Sequence, residues 1–211
     1  MVMAQVFEVI RLAVRGFMRH VARRLNRATG GKLHPDVVTI VGCLMHIPIA
    51  LLIAADSYLL LAALLLIVFG LFDTLDGELA RLQGRGSVRG MLLDASTDRI
   101  KEVMLYTGAA YAFALSNHPA TAALAVAACG ASLCVSYVKA KGEAAVAASK
   151  KELSHHQLNL LFKDGFLTFE LRMIVLVIGL LVNQLVIAVA FIALFATITA
   201  LQRLVRISKA L

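Results

Sequence analysis

Hydrophobic and polar positions fall in long blocks along this chain. Six apolar runs stand out, at residues 37–55, 58–82, 90–115, 120–141, 166–182 and 185–204. A helix needs about 20 apolar residues to cross the hydrocarbon core of a bilayer. The pattern therefore predicts an all-α bundle of six transmembrane helices. The connectors at 56–57, 117–119 and 183–184 are very short, which makes consecutive helices antiparallel neighbours.

The start of the chain has a different rhythm. Val6, Ile10, Ala13, Val14, Phe17, Val21 and Leu25 recur at helical spacing, while Arg11, Arg15, Arg19, Arg23 and Arg27 fall on another face. This predicts an amphipathic juxtamembrane helix lying at a membrane surface. The continuous apolar core of a signal peptide is missing. Residues 28–32, Ala-Thr-Gly-Gly-Lys, then turn the chain into the membrane, with Pro35 near the start of the first span. A second amphipathic or loop segment is expected over residues 147–165. The expected organisation is a single membrane domain, with the interfacial helix and linker over 1–35 and the bundle over 36–211.

Composition supports the membrane reading. Apolar residues make up 60% of the 211 and charged residues 16%, against about 45–50% and about 25% in soluble domains. Mean hydropathy is +0.84. A soluble domain cannot hide so much apolar surface, and a disordered chain shows the opposite bias. Cys43, Cys129 and Cys134 lie in apolar stretches without CxxC spacing, so they read as small packed residues and not as a disulfide or metal site.

Charge sets the orientation. Lys and Arg number 21 against 13 Asp and Glu, a net charge of +8, and the three short connectors hold none of the cations. The positive-inside rule then places both termini and both long connectors in the cytoplasm, on the inner face of the cell membrane. Nucleic acid is excluded as a partner, because no polar, aromatic-bearing basic surface exists.

One polar cluster interrupts the apolar blocks. Phe72-Asp73-Thr74-Leu75-Asp76-Gly77-Glu78-Leu79-Ala80-Arg81 is followed, eight residues on, by Gly90-Met91-Leu92-Leu93-Asp94-Ala95-Ser96-Thr97-Asp98. Asp73 and Asp76 share one helix face, as do Asp94 and Asp98. An antiparallel turn over residues 82–89 would bring all four carboxylates together at the cytoplasmic end. Four such acids repel strongly unless cations sit among them. Arg81 and Arg99 are too few, and hard divalent ions with oxygen ligands, Mg²⁺ or Mn²⁺, fit best. Gly77 and Gly90 each cost about 1 kcal/mol against Ala inside a helix. They serve either close helix packing or close approach of a ligand, and Ala80 leaves space in the same way. Glu78 is expected to face outward or to pair with a nearby Arg.

The run D-x-x-D-G-x-x-A-R-x(8)-G-x(3)-D-x(3)-D resembles the signature of the CDP-alcohol phosphotransferase family, with every fixed position met. The resemblance implies a homodimeric membrane enzyme of phospholipid synthesis. It moves a phosphatidyl group from a CDP-linked lipid, CDP-diacylglycerol, to the hydroxyl of a polar alcohol and releases CMP. It further implies that Asp73, Asp76, Asp94 and Asp98 bind two divalent metal ions and that Asp98 is the general base. Gly77, Ala80, Arg81 and Gly90 then surround the CDP moiety. A cation transporter is the competing class, but transporters place acids near the midplane and carry internal repeats, and this chain does neither.

Ser136-Tyr137-Val138-Lys139-Ala140-Lys141-Gly142-Glu143 is similar to the S-Y-x-K-A-R-A-E stretch of prokaryotic phosphatidylinositol-phosphate synthases, with Lys141 for Arg and Gly142 for Ala. The similarity implies that Lys139 and Lys141 help hold the phosphate of an inositol phosphate acceptor; otherwise they snorkel to the inner leaflet. Glu170 and Arg172 are all that remains here of the synthases' more charged stretch at the fifth span. Arg172 is still a candidate for the acceptor phosphate, with Arg203 and Arg206 on the sixth helix. Glycerol 3-phosphate and serine are the alternative acceptors. His155 and His156 are expected in an exposed loop, and His46 beside Pro48 is expected to be packed or lumen-facing.

Overall fold

The computed structural model describes residues 2–149 and 167–211, and every regular element among them is helical. The helices are α1 (Val2–Ala28), α2 (Pro35–Leu44), α3 (His46–Ala54), α4 (Leu59–Gly70), α5 (Phe72–Gln83), α6 (Val88–Ala114), α7 (Ala122–Ala148), α8 (Phe169–Leu181) and α9 (Leu185–Ala210). The expected all-α membrane fold is therefore present. His155, His156 and most of the expected segment 147–165 lie outside the described residues.

Four helical stretches among the described residues are long and apolar enough to cross a bilayer: Pro35–Ala54, Leu59–Gln83, Pro119–Ala148 and Leu185–Ala210. α6 has 27 residues but is charged through its first half, and α8 has only 13 residues. The first two spans are also not single helices, as the hydropathy pattern alone suggests. The chain breaks at Met45 because Pro48 has no N–H to offer the Leu44 carbonyl. His46 is buried and its Nδ1 donates to the Gly42 carbonyl at 2.7 Å. The second break, at Leu71, follows Gly70, whose backbone freedom weakens the helix there.

The chain divides into two compact units. The first comprises Met1–Ile49 and Leu64–Lys101, the second Ala50–Ala63 and Glu102–Leu211. In the first unit α5 packs against both α1 and α2. Met18, Ala22, Val38, Leu75 and Leu79 form its core, with Val14, Val21, Leu25 and Phe72 packed around them. Phe17, which periodicity assigns to the apolar face of α1, is 63% exposed, and Met18 is buried instead. The buried stripe thus keeps Val14, Val21 and Leu25 but runs through Met18 and Ala22 in place of Phe17, a turn of less than the 100° of one residue. A Cβ on Gly42 would lie 3.0 Å from that of Phe72, so α2 and α5 approach closely at that glycine.

The link between α1 and α5 is also ionic. Glu78 is buried, not outward-facing, and it meets three arginines: Arg81 Nη1 at 2.5 Å, Arg19 Nε at 3.1 Å and Arg15 Nε at 3.6 Å. Gln83 Nε2 adds hydrogen bonds to Asn26 Oδ1 at 2.8 Å and to the Leu33 carbonyl at 2.9 Å. α5 stops at Gly84, which adopts φ 63°. This left-handed cap lets the amide of Arg85 reach the Ala80 carbonyl at 2.9 Å.

In the second unit α9 packs against α7 and α8. Many buried positions are small, among them Ala125, Ala128 and Ser132 on α7 and Ala188, Ala196 and Thr199 on α9. Small side chains let helix backbones approach where lipid supplies no hydrophobic drive between helices. Cys43 is buried, Cys129 half-buried and Cys134 exposed, and all three are free thiols. Exposed Cys134 thus departs from the expected packed role.

A buried ion pair crosses this unit. Arg172 Nε and Nη2 donate to the two Glu102 oxygens at 2.8 and 3.1 Å, and Nη1 donates to the Leu167 carbonyl at 3.1 Å. Both side chains are sequestered, with 1% and 0% exposure. Glu102→Ala leaves the guanidinium buried without its carboxylate, a loss of about 3–5 kcal/mol. Thermal unfolding in detergent should show a markedly lower Tm, and an unchanged Tm would deny the pair its stabilising role.

Candidate active site

The site is built on the two ends of one turn. α5 carries Asp73 and Asp76, residues 84–87 reverse the chain, and α6 opens with Gly90, Asp94 and Asp98. A cavity of about 270 Å³ lies here, and all of its walls belong to the first unit. Asp73, Asp76, Gly77, Ala80, Arg81, Gly90 and Asp94 line it, so the structure brings seven of the sequence-selected residues to one place.

The four carboxylates are not equivalent. Asp73, Asp76 and Asp94 each offer one oxygen, and these oxygens lie within 4.8 Å of one another. Asp76 accepts a hydrogen bond from Thr39 Oγ1 at 2.5 Å. Asp94 Oδ1 is buried and has no hydrogen-bond partner. Three carboxylate oxygens at this spacing, with a buried unpartnered oxygen on one of the same residues, fit a hard divalent cation that takes oxygen ligands. Asp98 stands slightly apart, held by Lys101 Nζ at 3.2 Å and Arg99 Nη2 at 3.6 Å. The same Lys101 ammonium also bonds Asp73.

The small residues leave the cavity open. A Cβ on Gly77 would meet nothing nearer than the Arg81 guanidinium at 3.9 Å, so helix packing does not require glycine there. A Cβ on Gly90 would crowd Ser87 Oγ at 3.3 Å, the atom that accepts the Gly90 amide at 3.0 Å. Arg81 remains 58% exposed at the cavity although one nitrogen holds Glu78.

The proposed acceptor residues all lie in the second unit. Lys139 is about half exposed, with Glu143 3.9 Å away. Lys141 sits over the Tyr137 ring, 5.9 Å from its centroid. Arg172 is the buried partner of Glu102. Arg203 donates to the Val135 carbonyl at 3.0 Å. Glu170 lies in the first turn of α8, and Arg206 faces a shallow depression along α9.

Sequence reasoning missed several cavity residues. Asp36, Thr39, Arg85 and Ser87 all line it. Thr39 had no visible signal, being one hydroxyl in an apolar run. Asp36 and Arg85 flank the apolar blocks and were legible only as interfacial charges. Lys101, which holds Asp98 from outside the cavity lining, did carry a signal, since it lies three residues after Asp98 on the same helix face.

The fold and site define a helical membrane protein with a carboxylate cavity suited to a divalent cation. The chain belongs to the CDP-alcohol phosphatidyltransferase family, which it matches over residues 32–202. It is 39% identical to the phosphatidylinositol phosphate synthase of Corynebacterium glutamicum over 116 residues, which is 54% of this chain and 52% of that protein. The matched stretch thus spans about half of that relative. Identity to the Cutibacterium acnes synthase is 32% over 180 residues, 83% of this chain and 86% of that one. The phosphatidylinositol phosphate synthase of Mycobacterium tuberculosis has been solved with CDP-DAG bound and with manganese and citrate. The two structures match with TM-scores of 0.75 and 0.76 at 29% identity, each covering 90% of this chain and 92% and 88% of theirs. A divalent cation is the cofactor that the family and this oxygen cluster share.

Proposed function

We propose that this chain transfers the phosphatidyl group of CDP-diacylglycerol to the hydroxyl of inositol phosphate, releasing CMP. The observation that carries the reading is the carboxylate cavity, which gathers the family's motif residues around three converging oxygens. The names of the similar synthases and the bound ligands of the mycobacterial structures support the choice of donor, metal and acceptor.

Asp73, Asp76, Asp94 and Asp98 would hold two divalent ions, Mg²⁺ or Mn²⁺. When bound, these ions neutralise the pyrophosphate and the charge that develops on the departing phosphate. Gly77, Ala80 and Gly90 give the CDP moiety close access to the backbone, and the exposed part of Arg81 meets its phosphate charge. Asp98 takes the proton of the acceptor hydroxyl. The oxygen then bonds to the lipid-bearing phosphorus, the bond from that phosphorus to the bridging oxygen breaks, and CMP leaves with the electron pair.

Lys139 and Lys141 have the exposed ammonium groups that an acceptor phosphate needs. Arg172 is buried with its three nitrogens bonded to Glu102 and the Leu167 carbonyl, so it is a structural partner and the acceptor phosphate falls to the two lysines. Lys139→Ala is expected to raise the apparent KM for inositol phosphate by roughly 10-fold or more, the scale of a lost charge-assisted hydrogen bond. The KM for the CDP-lipid should stay within a few-fold. Equal losses for both substrates would assign Lys139 a structural role.

On this reading the enzyme works in the inner membrane as a homodimer of six-span protomers, with its site and both termini cytoplasmic. The cation distribution supports that orientation. The deciding experiment measures CMP release from CDP-diacylglycerol with inositol phosphate, glycerol 3-phosphate, serine or no acceptor. Preferred use of inositol phosphate is expected. Preference for glycerol 3-phosphate or serine overturns the acceptor, and no CMP with any acceptor overturns the transferase reading.

A further inference from the structure

We propose that Lys101 is a built-in cation of the carboxylate site, which the second divalent ion must displace before it can bind. The inference rests on the metal-site reading above and adds an order to it. The four acids form two overlapping groups. Asp73, Asp76 and Asp94 converge within 4.8 Å with no ammonium or guanidinium bonded to Asp76 or Asp94 among the described contacts. Asp73 is shared with the second group, in which one Lys101 ammonium bonds both the Asp73 and the Asp98 carboxylates.

The ammonium is no casual surface partner. The Lys101 side chain is 1% exposed, while those of Asp73 and Asp98 are 22% and 16% exposed. A buried ammonium persists only where carboxylates compensate it. Its compact charge and three donors fill the space between two carboxylates that a second cation would use. A divalent ion cannot share that space with it, because the like charges repel. The flexible four-carbon stem lets the ammonium withdraw without moving α6. The first ion therefore enters the open three-oxygen cluster, and the second binds more weakly because it must replace a bonded ammonium. Until then Lys101 acts as a positioning residue, holding the Asp98 carboxylate beside Asp73.

The test is a Mn²⁺ titration of the full chain in lipid nanodiscs, with free Mn²⁺ followed by electron paramagnetic resonance. The unmodified protein should bind two ions in two classes, the second at least about 10-fold weaker. Lys101→Met should tighten the second class by roughly 10-fold or more, the scale set by removing one like charge a few ångströms from the ion. The first class should tighten by less than the second, because only Asp73 of its three carboxylates is bonded by Lys101. Lys101→Arg keeps the charge and should keep the second class weak, and this comparison stands even if the Met variant does not fold. Two ions of equal affinity in the unmodified protein would overturn the proposal. So would a second class left unchanged by Met, or one tightened by Arg. No Mn²⁺ binding at all overturns the metal-site reading itself, a result distinct from the other three.

Discussion

Asp94→Asn is expected to abolish CMP release and to weaken Mn²⁺ binding by more than about 100-fold, beyond the 10–100-fold that residues supporting a metal ligand give. The substitution keeps shape and removes one of three negative charges that lie within 4.8 Å. It also replaces an oxygen with an amide at a position where Asp94 Oδ1 is buried and has no hydrogen-bond donor to satisfy it. The amide nitrogen would present hydrogens to Asp73 and Asp76, yet it cannot ligate a hard cation. Initial-rate assays with Mg²⁺ and a Mn²⁺ titration provide the check. Near-normal turnover with unaltered Mn²⁺ affinity would remove Asp94 from the metal site.

Asp98→Asn should have the second largest effect and a different signature. Asp98 stands outside the three-oxygen cluster and is held by Lys101 and Arg99. Donor binding should therefore survive its neutralisation, with the Kd for CDP-lipid shifting only a few-fold. Turnover should fall by about 10²–10⁴-fold, the range for loss of a general base. Asparagine preserves the side-chain volume and one carbonyl oxygen for Lys101, so a gross rearrangement of α6 is not the expected cause. Equal weakening of donor binding and turnover would instead make Asp98 chiefly a ligand of the donor-bound metal. Normal turnover would exclude it from the chemistry.

The sequence carried much of this site because the chemistry is local. Asp73 with Asp76, and Asp94 with Asp98, lie one helical turn apart, and a short turn joins the two helices. Charges in an apolar chain are conspicuous, so the motif stands out from its surroundings. What stayed hidden depends on contacts distant in sequence. Thr39 meets Asp76 across 37 positions, and Arg172 meets Glu102 across 70. Neither pair has a periodicity to announce it. The breaks at Met45 and Leu71 were equally obscure, because average hydropathy runs on smoothly through a proline or a glycine. Phe17 misled for another reason: a hydrophobic stripe read to the nearest residue has an angular error of up to about 100°.

Glu78 has a consequence for how the boundaries of this protein should be drawn. The match to the family's sequence pattern begins at residue 32, after α1 has ended. Physically the unit does not begin there. Arg15 and Arg19 reach across to the Glu78 carboxylate, and Met18 and Ala22 cover Leu75 and Leu79 on the helix that carries Asp73 and Asp76. A fragment cut at the similarity boundary would strip two of three cations from a buried acid one residue beyond Gly77. It would also uncover the apolar back of the motif helix. For expression, grafting or comparison of active sites, the smallest indivisible piece around the aspartates therefore includes a helix that the family pattern leaves out.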